Sequence, residues 1–217
     1  ITGKGAQAAE GSSVQGLQMF LEKNKNALLI GLVAILVIGA GLFYYNAIHM
    51  PKAELEANNA MFDAQYKFEQ DSFEVALNGN GGFLEIIDNH SGTKAGKLAS
   101  YYAGLCNFNL GNYAEAIDHL KSFSTSDEVL NSLSIGVLAD AQMENGNVDA
   151  ALSAYKKAAN ASTNEASAPF LLKKAGLAFE MNDDAKQANI FYTRLKNEFP
   201  NTSFAQDIDK YIGRTTK

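Results

Sequence analysis

Hydrophobic and polar positions follow two regimes along this chain. From Ala27 to Tyr45 the run ALLIGLVAILVIGAGLFYY carries no charged residue. At about 1.5 Å per residue it matches a hydrocarbon core of roughly 30 Å, so it predicts a transmembrane helix. A buried globular helix would carry polar punctuation on one face, and a cleaved signal peptide would have a shorter apolar core. Beyond Pro51 the remainder is Ala-rich, poor in Pro, and interrupted by Gly or Asn at intervals of about 15 to 20 residues, a spacing that predicts stacked helical hairpins.

The flanks orient the span. Lys23 and Lys25 precede it, whereas Lys52 on the other side is offset by Glu54 and Glu56. The positive-inside rule then places the N-terminus in the cytoplasm and the rest of the chain across the membrane, the periplasm in a bacterium. Tyr44 and Tyr45 fit an aromatic belt at the outer interface. Residues 1–26 form a cytoplasmic segment: a small, polar tail, then Val14, Leu17, Phe20 and Leu21 at helical spacing, expected to lie at the headgroup boundary or to dock a partner. The chain opens on Ile1 rather than Met, and a preceding segment is expected. The organisation expected is 1–26 cytoplasmic, 27–45 transmembrane, and 46–217 a periplasmic repeat domain.

A period is visible in that domain. LGNYAEAIDHLKSF (Leu110 to Phe123) aligns with NGNVDAALSAYKKA (Asn145 to Ala158), placing Gly111 on Gly146, Ala116 on Ala151 and Leu120 on Tyr155. NDDAKQANIFYTRL (Asn182 to Leu195) continues it, with Ala188 and Tyr192 in the same places. These residues resemble the tetratricopeptide repeat family, whose helix-turn-helix unit of about 34 residues sets a small residue in helix A against an Ala in helix B. The small residues would be Gly104, Ala139 and Gly176, the turn residues Gly111, Gly146 and Asp183, and Pro200 the terminal Pro of the last unit. Ser100, Ile135 and Leu172 stand where that family often has Trp. Lys52 to Leu77 reads as one long helix, Asn78 to Gly82 as a turn and Phe83 to Asn89 as a second helix, together a degenerate first unit. Thr202 to Tyr211 reads as a capping helix. The fold expected is all-α: one transmembrane helix, then a solenoid of about four units and a cap.

Within that class, the basic-flanked anchor and GTKAGKLASYYAGLCNFNLGNYAEAI resemble the YfgM-like family of ancillary SecYEG translocon subunits. The resemblance implies a non-enzymatic adaptor or chaperone of the bacterial inner membrane. Its implied partners are a SecYEG-type channel, a membrane-anchored periplasmic chaperone of prolyl isomerase type, and unfolded secreted polypeptides. A scaffold for another envelope assembly, in cell division or outer-membrane biogenesis, is the alternative.

Charge and composition narrow the chemistry. Lys and Arg number 18 against 24 Asp and Glu, a net charge of −6 that disfavours nucleic acid as a partner. The bilayer is the one non-protein partner expected. The three histidines (His49, His90, His119) have no ligand spacing, Gly79 to Gly82 lacks the Lys and Ser or Thr of a phosphate cradle, and Cys106 reads as a buried small hydrophobe. No catalytic residue, metal or cofactor is expected.

What remains is binding. In a hairpin solenoid the A helices line a concave face, and the register directs Tyr101, Leu105 and Phe108, then Gly136, Asp140 and Met143, then Lys173, Leu177 and Glu180 into it. Such a face suits a peptide or a partner helix held by apolar anchors. The alternative for Tyr101, Leu105 and Phe108 is packing against the second helix of the preceding unit. In the span, Ala27, Gly31 and Gly39 share one face, either a docking face for another membrane helix or ordinary small residues of such helices.

Overall fold

The computed structural model describes residues 18–216. All regular elements among the described residues are helices, and the chain divides into two compact units, Ile1–Lys52 and Ala53–Lys217. In the first, a helical stretch over 18–23 precedes α1 (Lys25–Tyr44), which a π-helical turn follows at Tyr45–His49. No residue of α1 is buried. A core helix of this composition would be enclosed, and this one is long and apolar enough to cross a membrane. Phe20 and Leu21 lie exposed in the 18–23 stretch; the tail, with Val14 and Leu17, lies outside the described residues.

The second unit is built from α2 (Met50–Glu69) beyond Lys52, α3 (Phe73–Asn78), α4 (Phe83–His90), α5 (Lys94–Asn109), α6 (Tyr113–Ser122), α7 (Glu128–Glu144), α8 (Val148–Asn160), α9 (Ala168–Met181), α10 (Ala185–Glu198) and α11 (Ile208–Thr215). Four of its turns share one backbone. Asp71, Gly111, Gly146 and Asp183 adopt φ of 55°, 81°, 79° and 59°. The N–H of each donates three residues back, to Phe68, Phe108, Met143 and Glu180. The next N–H donates five back, from Ser72 to Lys67, Asn112 to Asn107, Asn147 to Gln142 and Asp184 to Phe179. This is the Schellman closure of a helix, in which a left-handed residue satisfies carbonyls that the ended helix leaves free.

The turn at Asp71 corrects the reading of Lys52 to Leu77 as one helix. An Asp tolerates the left-handed region because its short polar side chain bonds locally, so the helix closes at Glu69 without a Gly. The first hairpin is therefore α2–α3, and α4 is an added helix before the second hairpin, α5–α6. Hairpins α7–α8 and α9–α10 follow. The expected Thr202 to Tyr211 cap is likewise split, into a 3-10 turn at Ser203–Ala205 and α11. The turn sends Phe204 toward Phe170, with ring centroids 5.9 Å apart, while Ile208 enters the core.

Counted from the turn residue, the same two positions are small in every hairpin. Seven residues before stand Ala64, Gly104, Ala139 and Gly176; five after stand Ala76, Ala116, Ala151 and Ala188. All eight are buried. A Cβ at Gly104 would lie 2.6 Å from Leu120 Cγ, and one at Gly176 2.6 Å from Tyr192 Cδ1. Helix A therefore touches the side chains of helix B with its backbone.

Polar links join one hairpin to the next. The Glu54 carboxylate accepts from the N–H groups of Lys94 and Ala95, at 2.7 and 3.0 Å, capping α5 from α2. Glu128 accepts from Thr163 N–H and the Ser162 hydroxyl, each at 2.9 Å. The buried Ser132 hydroxyl donates to Ser167 at 3.0 Å, and Arg194 donates to Asn160 at 2.7 Å.

Two substitutions of the same kind test the close approach. Gly176→Ala forces a methyl into the Tyr192 ring and should lower stability by about 1 to 3 kcal/mol. Gly213→Ala in α11 meets nothing within 4 Å and should raise stability by up to about 1 kcal/mol. Chemical denaturation of both variants, read by circular dichroism, checks the pair.

Candidate functional site

The predicted groove positions sit on the three A helices α5, α7 and α9. Tyr101, Leu105, Phe108, Asp140, Met143, Lys173, Leu177 and Glu180 are half-buried and Gly136 is buried. On α5, Tyr101 lies 5.3 Å from the Phe123 ring and Phe108 5.7 Å from Tyr113. Both pack against the cluster of Ile117, Leu120 and Ala141, on their own helix B and on α7. The preceding hairpin is filled instead by Tyr102, stacked on Phe83 at 5.1 Å and edge-on to Phe68 at 5.2 Å. Adjacent tyrosines lie about 100° apart on a helix, so one serves each neighbour.

On α7 and α9 the charged positions are held internally. Asp140 accepts from the Tyr155 hydroxyl at 2.7 Å and pairs with Lys174 of the next unit. Glu180 repeats the motif, accepting from the Tyr192 hydroxyl at 2.7 Å and from Arg214 Nη2 at 2.9 Å. Each carboxylate thus ties helix A to its own helix B and to the following element. Burial, with the carboxylate partner adding to it, pushes the Tyr155 and Tyr192 hydroxyls well above the ordinary phenol range. The Arg214 guanidinium holds Glu180 below the ordinary carboxylate range. Lys173 pairs with Asp207 at 3.3 Å and lies 5.1 Å from the Tyr211 ring centre.

Leu177 opens onto a cleft of about 360 Å³ lined by Phe170, Lys173, Lys174, Leu177 and Phe204. Phe170, Lys174 and Phe204 were not among the predicted residues. The signal for Phe170 was present: it precedes Lys174 by four and Leu177 by seven, the spacing of one helix face. Met143 packs against the C-terminal core. A second cleft, of about 380 Å³, lies where Lys94, Lys97 and Leu98 meet Phe123, Leu130 and the loop of Ser124, Thr125 and Ser126. In the first unit, Ala27, Gly31 and Gly39 lie on α1, spread over about 120° of its circumference, and a Cβ at either glycine would meet nothing within 4 Å.

Cys106 is buried, and burial pushes its thiol up to about 12, against thiolate formation. Burial lowers the His119 pKa against the opposing pull of Asp118 and Glu115. Among the described residues no group of three or more His, Cys, Asp and Glu is placed to hold a metal ion.

The profile of the Tetratricopeptide repeat-like domain family matches residues 18–168, and that of a single tetratricopeptide repeat matches 171–202. The chain belongs to the tetratricopeptide repeat-like domain family. Among solved structures it is similar to the nearly identical TPR-like repeats attributed to a kinesin light chain of Podosopora anserina. The two are 13% identical with a TM-score of 0.52, over 77% of this chain and 84% of that one. At that identity the likeness speaks for the fold. No curated protein matches the chain. Tetratricopeptide repeats are protein-interaction scaffolds, and the fold is typically non-catalytic.

The tied carboxylate and the α5 cluster each yield a prediction. A carboxylate whose folded pKa is lowered contributes stability that is present above its ordinary value near 4.5 and is lost as pH falls through the lower folded value. The melting temperature should therefore drop on acidification below that value, and Glu180→Gln should shrink the drop. Separately, Phe108→Ser should cost about 2 kcal/mol, since a half-buried ring loses part of the burial of a core Phe; denaturant titration measures it.

Proposed function

We propose that this tetratricopeptide protein is a single-pass inner-membrane adaptor without enzymatic activity, its N-terminus cytoplasmic and its repeat domain periplasmic. It acts beside the Sec protein-translocation channel, holding a membrane-anchored chaperone of prolyl isomerase type, emerging secreted chains, or both. The carrying observation is the union in one chain of the exposed apolar helix α1, with Lys23 and Lys25 at its N-terminal end, with an acidic scaffold. Residues 51–217 hold 15 Lys and Arg against 22 Asp and Glu, a net charge of −7. The resemblance to the YfgM-like family supplies the channel and the chaperone.

In this reading the groove is the face of Tyr101, Leu105, Phe108, Asp140, Met143, Lys173 and Leu177. Because Asp140 and Lys173 already have partners within the chain, its binding strength comes from apolar anchoring at Leu177, Phe170 and Phe204. Tyr101 and Phe108 contribute only their outward edges. Ala27, Gly31 and Gly39 let another membrane helix approach α1 closely.

A reporter fused to the C-terminus tests the topology, and it should be active only outside the cytoplasm; cytoplasmic activity overturns the reading. Affinity purification through the intact anchor, with mass spectrometry of the complex, should recover the channel and the chaperone. Recovery of division or outer-membrane biogenesis proteins in their place assigns the scaffold to that assembly. Exchanging α1 for an unrelated apolar helix should weaken recovery while the repeat domain melts unchanged.

A further inference from the structure

The two ends of the repeat array are finished differently. At the C-terminal end, α11 turns Ile208 and Thr215 inward and leaves Asp209, Lys210, Arg214 and Thr216 exposed. A solenoid needs such a polar outer face at its ends, because a terminal unit has no neighbour to cover it. At the other end, α2 buries Ala57, Met61 and Ala64 on one face. Its opposite face carries Leu55, Phe62 and Tyr66, exposed at 62%, 72% and 58%. Their spacing of seven and four residues sets them in one stripe about 16 Å long. The α2 face belongs to none of the groove positions, which lie on α5, α7 and α9.

The charges around the stripe say what covers it. Asp63 flanks Phe62, and Glu69 and Asp71 stand at the C-terminal end of α2, three carboxylates against Lys67 in its last turn, whose ammonium donates to the Asn80 carbonyl; none of the three makes an ion pair among the described residues. Carboxylates at a helix C-terminus face the negative end of the helix dipole, which raises the local negative potential. A second copy would bring the same carboxylates from a domain of net charge −7, and an anionic bilayer surface would be repelled in the same way. A cationic partner relieves the charge and covers the apolar residues together.

We propose that the outer face of α2 is a docking site for an amphipathic helix of another protein, one with an apolar stripe flanked by Lys or Arg. Leu55, Phe62 and Tyr66 receive the stripe, and Asp63, Glu69 and Asp71 receive the basic flank. The site stands apart from the groove, so failure at one leaves the other untouched.

The test uses the full chain in phosphatidylcholine nanodiscs and a fluorescent peptide of about 18 residues, long enough for five helical turns. Leu and Lys are arranged amphipathically in the probe, and a Leu/Glu peptide of the same pattern is the control. Anisotropy should show the Leu/Lys peptide binding at least about tenfold tighter than the control, and the double variant Phe62→Ser/Tyr66→Ser losing about tenfold in affinity with an unchanged melting temperature. Exchanging charge with the stripe intact, in Asp63→Lys/Glu69→Lys, should reverse the preference to the Leu/Glu peptide; this arm decides the matter if the double variant does not fold. Equal binding of both peptides by the parent chain, or undiminished binding by the folded Phe62→Ser/Tyr66→Ser protein, overturns the proposal. So does self-association, or adsorption to phosphatidylglycerol vesicles, that disappears in that variant, because the face would then belong to a second copy or to the bilayer.

Discussion

The close approach of helix A to helix B is the constraint on which the rest of the repeat domain depends. At Gly104 and Gly176 there is no room for one added carbon, and Ala64 and Ala139 hold the equivalent places. Because backbone meets side chain there, Leu120 and Tyr192 are fixed in position, and their burial builds the cores on either side. The Schellman turns at Asp71, Gly111, Gly146 and Asp183 set this geometry by reversing the chain at a constant distance from the contact. Everything outward of the contact, groove and stripe included, inherits its placement from it.

The same repetition governs the polar groups. Asp140 and Glu180 stand one helical turn apart in the register, six and three residues before their turn residues, yet make the same pair of links, to a buried Tyr on helix B and to a cation about one unit later. Buried hydroxyls are costly without acceptors, so these carboxylates are committed to the fold. The groove proposed on the A helices is consequently apolar in its anchors, with charge at the rim. An α-solenoid binds through such a surface by shape and burial, and its specificity comes from which side chains remain outward.

Much of this was legible in the residues. Gly111, Gly146 and Asp183 marked their turns, and the Ala residues five positions later marked the contact, because those sites tolerate few residue types. The first hairpin was harder to see. Its turn residue is Asp71 where two of the others have Gly, and α3 ends at Asn78 before the pattern can repeat; even so, Asp71-Ser-Phe-Glu-Val-Ala76 follows the register of Gly111-Asn-Tyr-Ala-Glu-Ala116. For the residues of the proposed groove, the sequence placed each on its helix and not on a face. Tyr101 and Tyr102 differ by one position, and only the packing of Phe68, Phe83 and Phe123 shows which neighbour each one serves. Phe204 depended on the 3-10 turn that carries it across to Phe170, and local periodicity holds no trace of that turn.

In the proposed function, a tetratricopeptide scaffold held at the membrane by α1 grips a neighbouring membrane-anchored protein through the face around Leu177. Site-specific photo-crosslinking in intact membranes addresses it directly, with the reactive group placed at Leu177 and, as a control, at the exposed Lys156 on α8. Adducts with a membrane-anchored partner are expected from Leu177 and not from Lys156. Equal adducts from both positions, or adducts from Leu177 only with other copies of this chain, would contradict the proposed function.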